Sequence, residues 1–183
     1  QDLNMIVKAF ELDKIKTNSS FFLFYGENQG HKSEIIKNKF QVNYKNNTYN
    51  YDENEVLNNK ENFFNNMLSK SFFEDEKLII INRVTDKILD TIKELLEKNI
   101  EDQVIILNAN ALEKKSKIRS LFEKNKETTC VAFYEDNSQT LSGVVNNFFR
   151  SMNVPISQQT INLIVQRARG DRLNLRNELE KIK

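Results

Sequence analysis

Residues 21–33 read FFLFYGENQGHKS. The apolar run Phe21 to Tyr25 ends at Gly26 and reads as a buried strand feeding a loop. From Ser33 to Phe40 the spacing turns helical, with Ile36 and Phe40 four residues apart. Strand, glycine-containing loop and helix is the setting a phosphate-binding loop requires. Gly26, Lys32 and Ser33 match G-x-x-x-x-G-K-S, in which the lysine meets phosphate and the serine meets magnesium. His31 stands where the pattern has glycine. Backbone N–H groups must wrap the phosphates at that point, and a Cβ carrying an imidazole crowds the turn.

Downstream, strands and helices alternate. Thr48 to Asp52 (TYNYD) alternates as a half-exposed strand. Asn54 to Lys70 is predicted as one helix, with Phe63, Phe64, Met67 and Leu68 on a common face. Lys77 to Val84 (KLIIINRV), Gln103 to Leu107 (QVIIL) and Thr128 to Tyr134 (TTCVAFY) read as buried strands of a parallel sheet. Between them lie helices marked by Ile88, Ile92, Leu95 and Leu96, and by Leu112, Ile118, Leu121 and Phe122. This order implies βαβ units and a doubly wound α/β domain spanning residues 5–136.

After Glu135 to Ser138 every segment is helical. Leu141, Val144, Val145, Phe148, Phe149 and Met152 form one apolar face. Pro155 breaks the chain, Ser157 caps a second helix, and Ile156 and Ile161 sit where a hydrophobic staple falls. Gly170 ends that helix in the left-handed conformation, and Asp171 caps a third with Leu175, Leu179 and Ile182 inside. A small three-helix domain over 138–183 is expected.

The acids of an ATPase site are missing. An apolar strand should end in aspartate to organise Mg²⁺, yet LIIIN ends at Asn82 and VIILN at Asn108. A working nucleotide site, a degenerate loop in an ATPase-like fold and a chance glycine turn all remain open, and the missing acids favour the degenerate loop. His31 is the sole histidine, which excludes a two-histidine metal site. Cys130 lies mid-strand as a packed thiol, and Glu74, Asp75 and Glu76 read as a solvated turn. No catalytic residue, metal site or cofactor is expected.

Composition agrees with a globular protein: 183 residues, net charge +1, 13 Phe and no Trp. Phenylalanine must therefore carry much of the core, and strong attraction of the whole molecule to nucleic acid is not expected. One cysteine permits no internal disulfide and fits a reducing cytoplasm. No apolar run approaches the roughly eighteen residues of a membrane span. Met5 reads as a natural start, with residues 1–4 added or the chain beginning upstream. The stop inside a helical pattern at Lys183 reads as truncation.

FFLFYGENQGHKSEI and GDRLNLRNELEKI (Gly170 to Ile182) carry a resemblance. The sequence resembles the delta subunits of the bacterial DNA polymerase III clamp loader, an AAA+-like family. Gly170, Asp171, Asn177 and Glu178 match the signature at the end of that family's helical lid. The resemblance implies a P-loop-type parallel sheet, a three-helix lid and a third, collar domain absent from this chain. It also implies a subunit without catalysis of its own that binds and opens the sliding clamp. In the family a Leu-Phe pair plugs a pocket on the clamp. Residues 67–73 (MLSKSFF) match that stretch, with Phe72 at the Leu position, Phe73 at the Phe and Leu68 beside them. Adjacent residues of an extended segment point to opposite faces, so at least one phenylalanine is free to face outward. Covering a sheet edge is the other role open to the pair.

Partners implied by the resemblance are the sliding clamp (beta), the gamma/tau and delta-prime subunits and primer-template DNA. Lys114, Lys115, Lys117 and Arg119 on one predicted helix are candidates for DNA phosphates or a solvated face. An ATP-binding P-loop protein and another inactive clamp-loader subunit are the alternatives. The zinc module usual in delta-prime is excluded by the single cysteine.

Overall fold

The computed structural model describes residues 6–9, 19–69, 76–100 and 102–183. Its sheet holds strands β1 (Ile6–Lys8), β2 (Phe21–Tyr25), β3 (Thr48–Asp52), β4 (Lys77–Asn82), β5 (Gln103–Asn108) and β6 (Thr128–Ala132). They run in the order β1-β6-β2-β5-β4-β3, and every pairing is parallel. Leu23 sits between Leu107 and Cys130, so the Phe-rich strand occupies the centre.

A parallel sheet buries both faces, which explains the unbroken apolar runs. Phe21, Leu23 and Tyr25 face one core with Ile79, Ile81, Ile105 and Leu107. That core is closed by α2 (Glu53–Asn58), α3 (Lys60–Leu68), α4 (Leu89–Glu97) and α5 (Lys117–Lys124) through Val56, Phe63, Ile92, Leu95 and Phe122. Phe22 and Phe24 face the other core with Ile80, Ile106, Val131 and Phe133. Helix α1 (Gln29–Ile35) leads into a π-helical turn, Ile36–Phe40, and a 3₁₀ turn, Gln41–Asn43. The wide turn carries Phe40 onto Phe22 and Phe24, at ring centroid distances of 5.2 and 5.8 Å. Such edge-on pairs add about 0.5–1.5 kcal/mol each beyond burial.

Two helical expectations change. The helix expected over 54–70 is two helices, interrupted at Asn59 with φ −138° and ψ 55°. The break falls at Asn58-Asn59, two residues of low helix propensity, and the Asn59 side chain makes no capping hydrogen bond there. Leu112 precedes α5, which starts at Lys117 because Ser116 caps it by accepting from Arg119 N–H.

Among the described residues the chain forms two compact units. The first runs through residue 27 and from 35 to 133; the second takes 28–34 and 134–183. In the second, α6 (Ser138–Ser151), α7 (Gln158–Ala168) and α8 (Arg172–Glu180) bury Leu141, Val145, Phe149, Ile161, Leu175 and Leu179 together. Asn137, Ser157 and Asp171 cap the three helices. Ile156 packs on the cluster that holds Ile161, as a staple does. Between α7 and α8 both Arg169 (φ 52°) and Gly170 (φ 77°) are left-handed.

Candidate functional site

Gly26 follows β2 with φ +126°, and a Cβ there would stand 2.1 Å from the Phe133 carbonyl oxygen. Glycine is required twice over, by conformation and by space. Its N–H donates to the Asn110 carbonyl at 3.1 Å, so this amide is committed within the sheet unit. At the tips of β4 and β5, Asn108 Nδ2 donates to Asn82 Oδ1 at 2.9 Å. The two positions where acids would hold magnesium are thus two neutral amides bonded to each other, and they bring no charge to a cation.

In the second unit, Asn28 caps α1. Its Oδ1 accepts from His31 N–H at 3.0 Å, and its carbonyl accepts from Lys32 N–H at 3.1 Å. Two amides that a phosphate loop would aim at an anion are therefore satisfied locally. The Asn28 Nδ2 donates to Asp136 Oδ2 at 2.8 Å and to the Tyr134 carbonyl at 3.0 Å. Asp136 receives a two-pronged grip from Arg172, Nε and Nη2 each at 2.8 Å. Arg172 Nη1 also reaches Glu34 at 3.3 Å, and Arg176 pairs with Glu34.

The Arg172 and Asp136 side chains are only 9% and 5% exposed. Removing one member of such a pair strands a buried charge, at a cost of about 3–5 kcal/mol. Burial alone would raise the Asp136 carboxyl, but hydrogen bonds from Arg172, Asn28 and Thr140 hold it below the usual carboxylate range. His31 is pushed down to about 4, first by burial and then by Arg172. Lys32 is buried at 1% exposure, and burial lowers its ammonium to about 8. Ser33 is exposed. A Cβ on Gly30 would make ordinary contact with Arg172 at 3.6 Å, so Gly30 is not demanded by space.

Of the helical signature, Gly170 makes the left-handed turn and Asp171 accepts from Asn174 N–H at 2.8 Å. Asn177 is exposed, and Glu178 pairs with Lys181 at 2.7 Å. The residues that tie α8 to α1 are instead Arg172 and Arg176, which the sequence reading passed over. Their spacing of four on one helix was the available signal.

Leu68 ends α3 and is 43% exposed. Phe72 and Phe73 lie outside the described residues, as do Glu74 and Asp75. Lys114, Lys115 and Lys117 are exposed. Arg119 is not: it bonds Glu123 at 2.5 Å and the Leu112 carbonyl at 2.8 Å and covers the Tyr25 ring at 4.8 Å. The four candidates for DNA phosphates therefore do not form one available cluster. Cys130 is fully buried, with its thiol pushed up to about 12 by burial. Among the described residues, no three His, Cys, Asp or Glu side chains converge on a metal-sized site, and no helix is long and apolar enough to cross a membrane.

The all-parallel sheet, its strand–glycine–helix entry and the three-helix unit define an AAA+-like α/β protein of the P-loop type. The family model for DNA polymerase III, delta subunit, matches residues 22–134. The chain belongs to that family. The fold is similar to the DNA clamp loader delta protein of Bacillus subtilis, with TM-score 0.66 and 15% identity over 94% of this chain and 55% of that one. The Holliday junction branch migration motor RuvB of Thermotoga maritima matches at TM-score 0.47 and 15% identity, over 87% of this chain and 53% of that one. The chain thus spans about half the length of these solved proteins. No curated protein sequence matches it.

Proposed function

We propose that this chain is the sheet and lid portion of a clamp-loader delta subunit. It binds the sliding clamp and favours the open ring without hydrolysing ATP. Family membership supports the role, and the Asn82–Asn108 amide pair is the observation that carries the passive part of it. A strand tip without carboxylates lacks the anchor that magnesium-assisted phosphoryl transfer uses. ATP would be turned over by the gamma/tau subunits, with delta-prime and primer-template DNA completing a cytoplasmic assembly. Residues 5–136 act as the sheet domain, and 138–183 with the Gly170-Asp171-Asn177-Glu178 signature as the lid. A collar domain beyond them would hold the pentamer together.

The contact is assigned to Leu68, Phe72 and Phe73. Leu68 supports this by ending a helix with an exposed apolar side chain. Opening follows if the chain binds the sprung ring better than the closed one, since a ligand shifts an equilibrium only by its differential affinity. The test uses the cognate clamp with fluorophores flanking its subunit interface. Added protein should separate the fluorophores equally with and without Mg-ATP. A requirement for ATP, or hydrolysis by the chain alone, would overturn the proposal in favour of an active P-loop protein.

A further inference from the structure

Helix α3 ends at Leu68, and the three carbonyls before that end each receive a donor. Ser69 N–H donates to the Asn65 carbonyl at 2.9 Å, and Ser69 Oγ donates to the Asn66 carbonyl at 3.1 Å. The Met67 carbonyl is met from elsewhere: Gln103 Nε2, 36 residues on, donates to it at 2.6 Å. A helix leaves its last four carbonyls without partners of its own, so an end tied in this way is held against fraying.

The direction of the Gln103 amide is informative. Its Oε1 is buried and, among the described residues, has no hydrogen-bond partner. Turning the amide over would set this oxygen against the Met67 carbonyl, two acceptors facing each other. An apolar side chain of similar length would leave no acceptor stranded. The glutamine therefore carries a cost, and what its donor holds against that cost is the end of α3.

Gln103 opens β5 and lies in register with Lys77, the first residue of β4. The chain leaves α3 at Ser69 and enters β4 at Lys77, so one residue meets it on both sides of residues 70–75, the stretch with Phe72 and Phe73. At the end of α3, Met67 is buried at 3% exposure and Leu68 is 43% exposed. The Met67 carbonyl belongs to the peptide plane that joins these two residues. Holding it fixes the direction in which Leu68 leaves the helix.

We propose that Gln103 is a positioning residue for the clamp contact, setting where α3 ends and which way Leu68 faces. It acts through Leu68 and needs no contact with the clamp itself. This deepens the clamp-binding reading and rests on it.

The test is titration of the whole chain against the cognate clamp, with circular dichroism and a urea midpoint for every variant. Gln103→Met keeps the length and removes the donor, and Gln103→Glu presents acceptors only. Each should weaken clamp binding about fivefold while remaining folded, the factor that one neutral hydrogen bond carries. Asp86→Ala destabilises the same unit beyond the far end of β4 and should leave clamp affinity at the wild-type value. In a Leu68→Ala background, Gln103→Met should cost less than about twofold, because residues that act through one contact are not additive. Wild-type affinity in both Gln103 variants overturns the inference, as does a full loss in the Leu68→Ala background. An equal loss in Asp86→Ala reduces Gln103 to a stability residue and overturns it too. In each of these cases the wild type still binds, and the clamp-binding reading stands. A wild type that binds no clamp overturns that reading and this inference with it.

Discussion

At the scale of single residues, two positions in the phosphate-loop stretch carry measurable consequences. Gly26→Ala forces a side chain into a left-handed turn and against the Phe133 carbonyl. Backbone strain of this kind costs about 1–3 kcal/mol, so the urea midpoint should drop accordingly while Gly30→Ala, whose Cβ meets ordinary contacts, stays near wild type. His31 has a folded pKa of about 4 against an ordinary 6.5. Between those values the unfolded chain binds more protons than the folded one, so stability is full above about 6.5 and declines as pH falls toward 4. His31→Gln should flatten that part of the stability–pH curve; an unchanged slope would show that Asp136 and the other carboxylates cause it. The loop itself was legible, because glycine, lysine and serine stand at motif spacing. Its electrostatic surroundings were not. Asp136 and Glu34 meet Arg172 across 36 and 138 residues of sequence, and nothing local couples positions so far apart.

At the scale of elements, the strands were legible because a parallel sheet buried on both faces demands unbroken apolar runs. Strand tips and caps were less so. Asp86 shows why. Its carboxylate accepts from Ser116 Oγ at 2.8 Å and from Lys117 and Ile118 N–H at 3.1 and 2.9 Å, tying the start of α4 to the start of α5. The bond from the Ile118 amide is the largest influence on this group and holds the carboxyl below the usual range. Asp86→Ala leaves helix N–H donors without this acceptor and should cost about 1–2 kcal/mol. Asp86→Asn, which keeps an acceptor oxygen, should recover part of the loss in the same denaturation assay. Asn59 makes the complementary point: helical periodicity continues through it, and the break between α2 and α3 shows only in its backbone angles, φ −138° and ψ 55°.

At the scale of the whole molecule, the order of elements specified an AAA+-like α/β unit followed by helices, and the family match rests on that unit. The assignment of residues 28–34 to the helical unit was not legible, since sequence order places them inside the first domain. Function is legible only through chemistry that can be seen to be missing or present: two amides at the strand tips and an exposed leucine at the end of α3. The central claim is that this chain anchors on a sliding clamp through Leu68, Phe72 and Phe73. The most direct measurement is an affinity titration against the cognate clamp, comparing wild type with Phe72→Ala/Phe73→Ala after circular dichroism shows both folded. Buried aromatic anchors contribute about 2 kcal/mol or more, so the double variant should bind at least about tenfold more weakly. Equal affinity for the two proteins would contradict the anchor, and a wild type that binds no clamp would contradict the account.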